Sequence, residues 1–143
     1  MKVPLSWLKE FVSLPPKITA EQISQAFVKV GFEVEGFEEQ GRDLKGPVIV
    51  GKVVSIEELS GHKKPIRYVG LDLGEKKTRF VICGARNFKV NDLVVVAVPG
   101  AVLPGDFKIS ARETYGKIRD GMICSAKELG ISDEHAGIIV LPN

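Results

Sequence analysis

The sequence predicts a mainly β protein, a small barrel preceded by a short α+β segment. Three observations predict it. From residue 48 onward, β-branched stretches of six to nine residues recur, separated by Gly, Asn, Asp and Lys. Before residue 40 the apolar residues recur at helical spacing instead. Between them, Gln40 to Gly46 is polar and carries a glycine near each end, which marks a boundary. The expected organisation is an N-terminal α+β half-domain over 1–39, a linker over 40–46 and a barrel domain over 47–143.

The elements follow in chain order. Ser6 is the expected cap of a helix over about 6–13 that presents Trp7, Leu8, Phe11 and Val12. Pro15-Pro16 stops it, because proline has no N–H to donate and clashes with the preceding turn. Thr19-Ala20-Glu21-Gln22 reads as a capping box opening a second helix over about 19–30, with Ile23, Phe27 and Val30 on one face. Gly31 is placed to end it in a left-handed turn. Phe32, Val34 and Phe37 suggest a strand over about 32–37. About forty residues lie near the lower limit for an independent core, so an under-covered apolar patch is expected near Trp7 and Phe27.

In the barrel half, strands are expected at Val48 to Ile56, Ile66 to Leu73, Thr78 to Cys83 and Leu93 to Val98. Short additions are expected at Lys108 to Arg112 and Ile138 to Leu141. Ser125-Ala126-Lys127-Glu128 is a second capping box, for one or two helical turns ended by Gly130.

Composition excludes several functions. The apolar fraction of 44% and charged fraction of 27% are ordinary for a globular protein. No apolar run approaches the ~18 residues of a membrane span, and no signal peptide is legible. The chain has no P-loop, dinucleotide fingerprint or HExxH pair, and its histidines are His62 and His135 alone. Cys83 and Cys124 form no CxxC pair and lie in apolar surroundings, where a buried structural thiol is the common case. No catalytic or metal site is expected, and a reducing cytoplasm is the simplest compartment.

The net charge of +2 hides an asymmetry: residues 1–39 carry four Lys/Arg against six Asp/Glu, residues 60–119 twelve against five. A local positive field attracts phosphate chains, although a solvated basic face is the plainer reading of charge alone. Lys63, Lys64 and Arg67 lie in one loop-to-strand entry, and Lys76, Lys77 and Arg79 in the next turn. Arg86, Asn87 and Lys89 follow, with Lys108, Arg112, Lys117 and Arg119 from later loops. Such cations pair with phosphate oxygens and displace condensed counterions. Recognition of unpaired nucleic acid also needs stacking surfaces. Tyr68 and Tyr115 lie among these cations, and strand alternation puts Tyr68 on the face opposite Val69 and Leu71. Phe80 shares a face with Ile82 and is read as core, and Phe107 as a plug for the barrel end.

Three segments carry a family resemblance: Cys83-Gly84-Ala85-Arg86-Asn87, the run Gly100 to Ile109, and Gly121 to Ile131. In this order they resemble the tRNA-binding part of the bacterial phenylalanyl-tRNA synthetase β subunit. Val3 to Leu8 and Gly31 to Glu35 are similar to the start of that subunit. The resemblance implies an OB-fold, a five-stranded barrel. It also adds Ser125 to the tRNA-binding candidates, alongside Asn87. The usual His-Pro-x-Ala-Asp entry is replaced here by His62-Lys63-Lys64-Pro65, and the late motif lacks its leading arginine and serine.

The resemblance further implies a subunit of a class II ligase of α and β subunits, with ATP and magnesium bound elsewhere. No cofactor is expected in this stretch. The implied partners are tRNA, held weakly and electrostatically, the rest of the β subunit and the α subunit, with no membrane. In that family, sequence after the barrel returns to complete the N-terminal piece. The competing readings are a protein–protein docking module with little tRNA binding, and a stand-alone OB-fold tRNA-binding or chaperone protein.

Overall fold

A long first strand, bent at its middle, organises the sheet. In the computed structural model, which describes residues 1–61 and 65–142, strand β1 (Val48–Leu59) pairs antiparallel with two partners in succession. Its first half runs against β4 (Leu93–Ala97), from Val48↔Ala97 to Lys52↔Leu93. Its second half runs against β2 (Ile66–Asp72), from Lys52↔Asp72 to Leu59↔Ile66. A register shift between Val53 and Ser55 separates the halves. Such a bulge bends a strand and raises its twist, which lets one strand serve two sides of a barrel.

β2 continues into β3 (Arg79–Cys83) through an antiparallel hairpin. The other edge of β4 is shared by β9 (Met122–Ile123) and β10 (Val140–Leu141), so the sheet is five strands wide. Asp120 N donates to Phe80 O at 2.8 Å and draws the segment before β9 onto β3, nearly closing the barrel. The expected OB-fold barrel is present. Two small hairpins lie between β4 and β9: β5 (Val102–Leu103) with β6 (Phe107–Lys108), and β7 (Arg112–Thr114) with β8 (Lys117–Arg119).

Alternation fills the interior. Val53, Val69, Leu71, Val81, Cys83, Val94, Val96 and Ile123 are buried together with Phe88. A second cluster of Ala97, Ala101, Leu103, Ile109, Cys124 and Leu129 packs beside it. Two sequence expectations are corrected here. Phe80 lies on the outer face, 36% exposed, because Val81 and Cys83 are the residues of β3 that turn inward. Phe107 is exposed on its hairpin and plugs nothing; Leu103 and Ile109 occupy the interior instead.

The capping box after β9 forms as the sequence suggests, but it opens a single turn and no helix. Ser125 Oγ receives Glu128 N at 3.4 Å, and the Glu128 carboxylate receives Ser125 N at 2.6 Å. Gly130, at φ 68°, closes one turn: its N–H bonds Lys127 O, and Ile131 N bonds Ala126 O. This is a Schellman termination.

Contacts divide the chain into Met1–Glu39 and Gln40–Asn143. In the first unit, α1 spans Leu5–Phe11 and α2 spans Ala20–Lys29. The capping box of α2 forms: Gln22 N donates to Thr19 Oγ1 at 3.2 Å, and Thr19 N to Gln22 Oε1 at 3.0 Å. Ser6 does not cap α1, whose N-cap is Pro4 with no side-chain bond. Residues 32–37 form no strand. A strand needs a ladder partner, and none pairs with them among the described residues. No residue of this unit is buried, and Trp7 is 51% and Phe11 72% exposed. The expected uncovered patch is there. No described helix is long and apolar enough to cross a membrane.

Candidate nucleic-acid interface

The outer face of β1–β2–β3 gathers the aromatic and charged side chains. Across β2 and β3, Tyr68 faces Ile82, and Gly70 faces Phe80. A Cβ on Gly70 would strike Ser55 Oγ and lie 3.2 Å from Phe80 Cε1, so the glycine makes room for the Phe80 ring. Tyr68 stacks on Phe80 with centroids 4.9 Å apart and planes 14° from parallel. The Tyr68 hydroxyl donates to Ile118 O at 3.0 Å, which ties the pair to β8. Lys117 Nζ sits 5.0 Å from the Tyr68 centroid, a cation–π contact. Beside the pair is a groove of ≈ 270 Å³ lined by Tyr68, Thr78, Arg79, Phe80, Ile118 and Asp120.

The β7–β8 hairpin turns through Tyr115 at φ 56° and Gly116 at φ 69°. Two positive φ values make a type I′ turn, which matches the twist of its strands. A tyrosine at the first position is uncommon, because its Cβ crowds the backbone there.

Several of the sequence-named cations are held by carboxylates. Arg67, its side chain 15% exposed, pairs with Glu58 at 2.8 Å, donates to Phe88 O at 3.3 Å and lies over the Phe88 ring. Arg86 pairs with the other oxygen of Glu58 at 3.0 Å. Arg79 is clamped by Glu75 at 2.8 Å and Asp120 at 2.6 Å. The hydrogen-bonded Glu75 carboxylate is lowered in pKa by Arg79, and the Arg79 guanidinium is raised by Glu75. Lys117 makes a longer pair with Glu57 at 3.3 Å. β1 therefore supplies the counter-charges of Arg67, Arg86 and Lys117, because it runs on through Glu57 and Glu58 beyond the expected Ile56.

The remaining candidates divide. Lys76, Lys77, Lys89, Lys108 and Arg112 are exposed, and no carboxylate pairs with them among the described residues. Arg112 Nε donates to Ser110 Oγ. Arg119 is partly buried, and its Nε has no acceptor among the described residues. Tyr115 is exposed at the hairpin tip. Asn87 uses its amide internally, donating to Ile138 O at 2.8 Å and accepting from Ile138 N at 3.1 Å. Ser125 is buried within its capping box. Lys63 and Lys64 lie outside the described residues. Of the groove residues, Thr78, Ile118 and Asp120 were not among the sequence candidates, and Phe80 was assigned to the core. The sequence carries no signal that decides the side of Phe80, because β3 is apolar on both faces; the burial of Val81 and Cys83 in the structure turns it outward.

Neither cysteine is set up as a nucleophile. Burial pushes both thiols up, Cys124 to about 11, so the protonated form dominates at neutral pH. No cluster of three potential metal ligands occurs among the described residues.

Residues 48–143 match the family described as "Putative tRNA binding domain". The chain belongs to this tRNA-binding domain family. It is 55% identical over 146 residues to the phenylalanine–tRNA ligase beta subunit of Thermobifida fusca, covering 99% of this chain and 18% of that protein. The corresponding subunit of Streptomyces avermitilis is 54% identical over 147 residues, again 99% of this chain and 18% of that protein. That of Corynebacterium diphtheriae is 46% identical over 151 residues, 100% of this chain and 18% of that protein. The resemblance read from the three segments is thereby shown over both units of this tRNA-binding domain chain. The chain spans about 18% of the length of these relatives.

Proposed function

We propose that this chain is the accessory tRNA-binding and scaffolding part of a phenylalanine–tRNA ligase β subunit. The observation that carries the proposal is the family match over 48–143 together with the aromatic and cationic outer face of the barrel. The whole enzyme joins phenylalanine to tRNA using ATP and magnesium, bound outside these residues. The remainder of the β subunit and the α subunit are its protein partners, and the cytoplasm is its compartment. The contribution of this stretch is a weak, phosphate-led hold on tRNA.

The ion pairs refine which side chains take phosphate. Arg67 and Arg79 are committed to carboxylates and serve the fold first. Lys76, Lys77, Lys89, Lys108 and Arg112 have no carboxylate partner among the described residues, and Lys63 and Lys64 belong with them by charge. Arg86 and Lys117 are half-held by exposed carboxylates, pairs worth about 0–1 kcal/mol, so a phosphate displaces them at small cost. Filter binding of tRNA at low salt tests this. Lys76→Glu/Lys77→Glu is expected to weaken binding clearly while the thermal midpoint stays put. Unchanged affinity in that variant and in Lys63→Glu/Lys64→Glu would remove the electrostatic reading.

A docking role for the first unit is favoured by one observation. Trp7, Phe11, Phe32 and Phe37 are all more than half exposed, a large apolar display for about forty residues.

A further inference from the structure

We infer that the groove beside Phe80 takes a single unstacked nucleobase, so that the tRNA segment held here is single-stranded or looped. This rests on the tRNA-binding reading above and names what that site reads.

The argument begins with the ring. Phe80 is the exposed member of a fixed pair: Tyr68 lies parallel to it at 4.9 Å, and the Tyr68 hydroxyl is anchored on Ile118 O. Gly70 beneath it leaves no side chain to push the ring away. An aromatic platform held this way loses little freedom when a second planar group lands on it. Phe80 has no polar atom, so its exposure on a strand otherwise buried at Val81 and Cys83 leaves apolar surface in water.

The rim of the groove supplies the polar half. Asp120 and Arg79 present an acceptor beside a donor, held together at 2.6 Å, and the Thr78 hydroxyl offers either role. The Watson–Crick edge of every nucleobase carries donors and acceptors side by side, and an aliphatic or purely aromatic guest does not. A volume of ≈ 270 Å³ lies below the roughly 300–1,000 Å³ of drug-sized sites and suits one planar group.

Cations adjoin the residues that line the groove. Lys76 and Lys77 immediately precede Thr78, and both are exposed. Lys117 lies over the ring of Tyr68, another residue of the groove wall. In a duplex the base faces are already stacked and the edges already paired, so such a site reads loops and single strands.

The test uses the 143-residue chain. Trp7→Phe/Phe80→Trp moves the chain's one indole into the groove wall as a reporter. Single-stranded RNA of roughly 12 nucleotides is expected to quench it saturably, and a duplex of equal length is not. Phe80→Leu keeps apolar volume over Gly70 and is expected to weaken single-strand binding about 5- to 150-fold, leaving the salt dependence unchanged. No quenching, equal quenching by duplex, or unaltered affinity in Phe80→Leu overturns the inference, even where salt-dependent tRNA binding by the unaltered chain persists. Loss of tRNA binding by the unaltered chain itself marks the broader function as the failing part.

Discussion

At the scale of single residues, Asn87 shows how a polar side chain can hold the fold while standing among cations. Its amide bonds both backbone groups of Ile138, imitating one rung of a β ladder. Gly137 lies so close that an added Cβ would sit 2.5 Å from Asn87 Cγ. Asn87→Ala leaves two backbone groups unpartnered, and stability is expected to fall by about 1–2 kcal/mol. Urea unfolding with an unchanged m-value checks this. tRNA affinity of the folded variant is expected to hold; a drop in affinity at unaltered stability would make Asn87 an RNA contact. Residue identity alone did not reveal this use, because the partner stands fifty-one positions later. A separation of forty-one positions likewise hid the clamp on Arg79 by Asp120. The thiols were legible, because Cys83 sits in an apolar strand pattern and is buried there.

At the scale of elements, periodicity located the long strands and both helices. Ends were harder. β1 continues through Glu57 and Glu58 because Glu58 stands opposite Arg67 in the ladder, and a cross-strand ion pair favours strand continuation that a single-segment pattern cannot display. Residues 32–37 have a strand-like pattern and no partner among the described residues, so pattern alone misled. Phe80 and Ile82 were rightly placed on one face and assigned the wrong side, since β3 is apolar on both. The β7–β8 hairpin was unread, for its type I′ turn is set by Tyr115-Gly116 in place of the usual Asn-Gly. Gly116→Ala puts a Cβ at φ 69° and is expected to cost about 1 kcal/mol. Its thermal midpoint should fall measurably below that of the parent; an unchanged midpoint would mean that the hairpin contributes nothing to the cooperative unit.

At the scale of the whole molecule, the barrel unit has two buried clusters and the first unit has no buried residue. This asymmetry was legible in advance, because about forty residues with two short helices cannot enclose their own aromatic rings. The charge pattern was only half legible. The basic excess between residues 60 and 119 is real in the count, yet Glu57 and Glu58, just outside that window, pair with Lys117, Arg67 and Arg86. The effective field is therefore weaker than the count implies, and the open lysines carry it. The central claim is that these cations hold a ribose-phosphate polymer. Its most direct measurement is tRNA binding by this chain across a salt series. Neutralising three or four phosphates predicts that log K falls against log salt with a slope of roughly −2 to −4. Affinity that does not change with salt, or no binding at low salt, would contradict it.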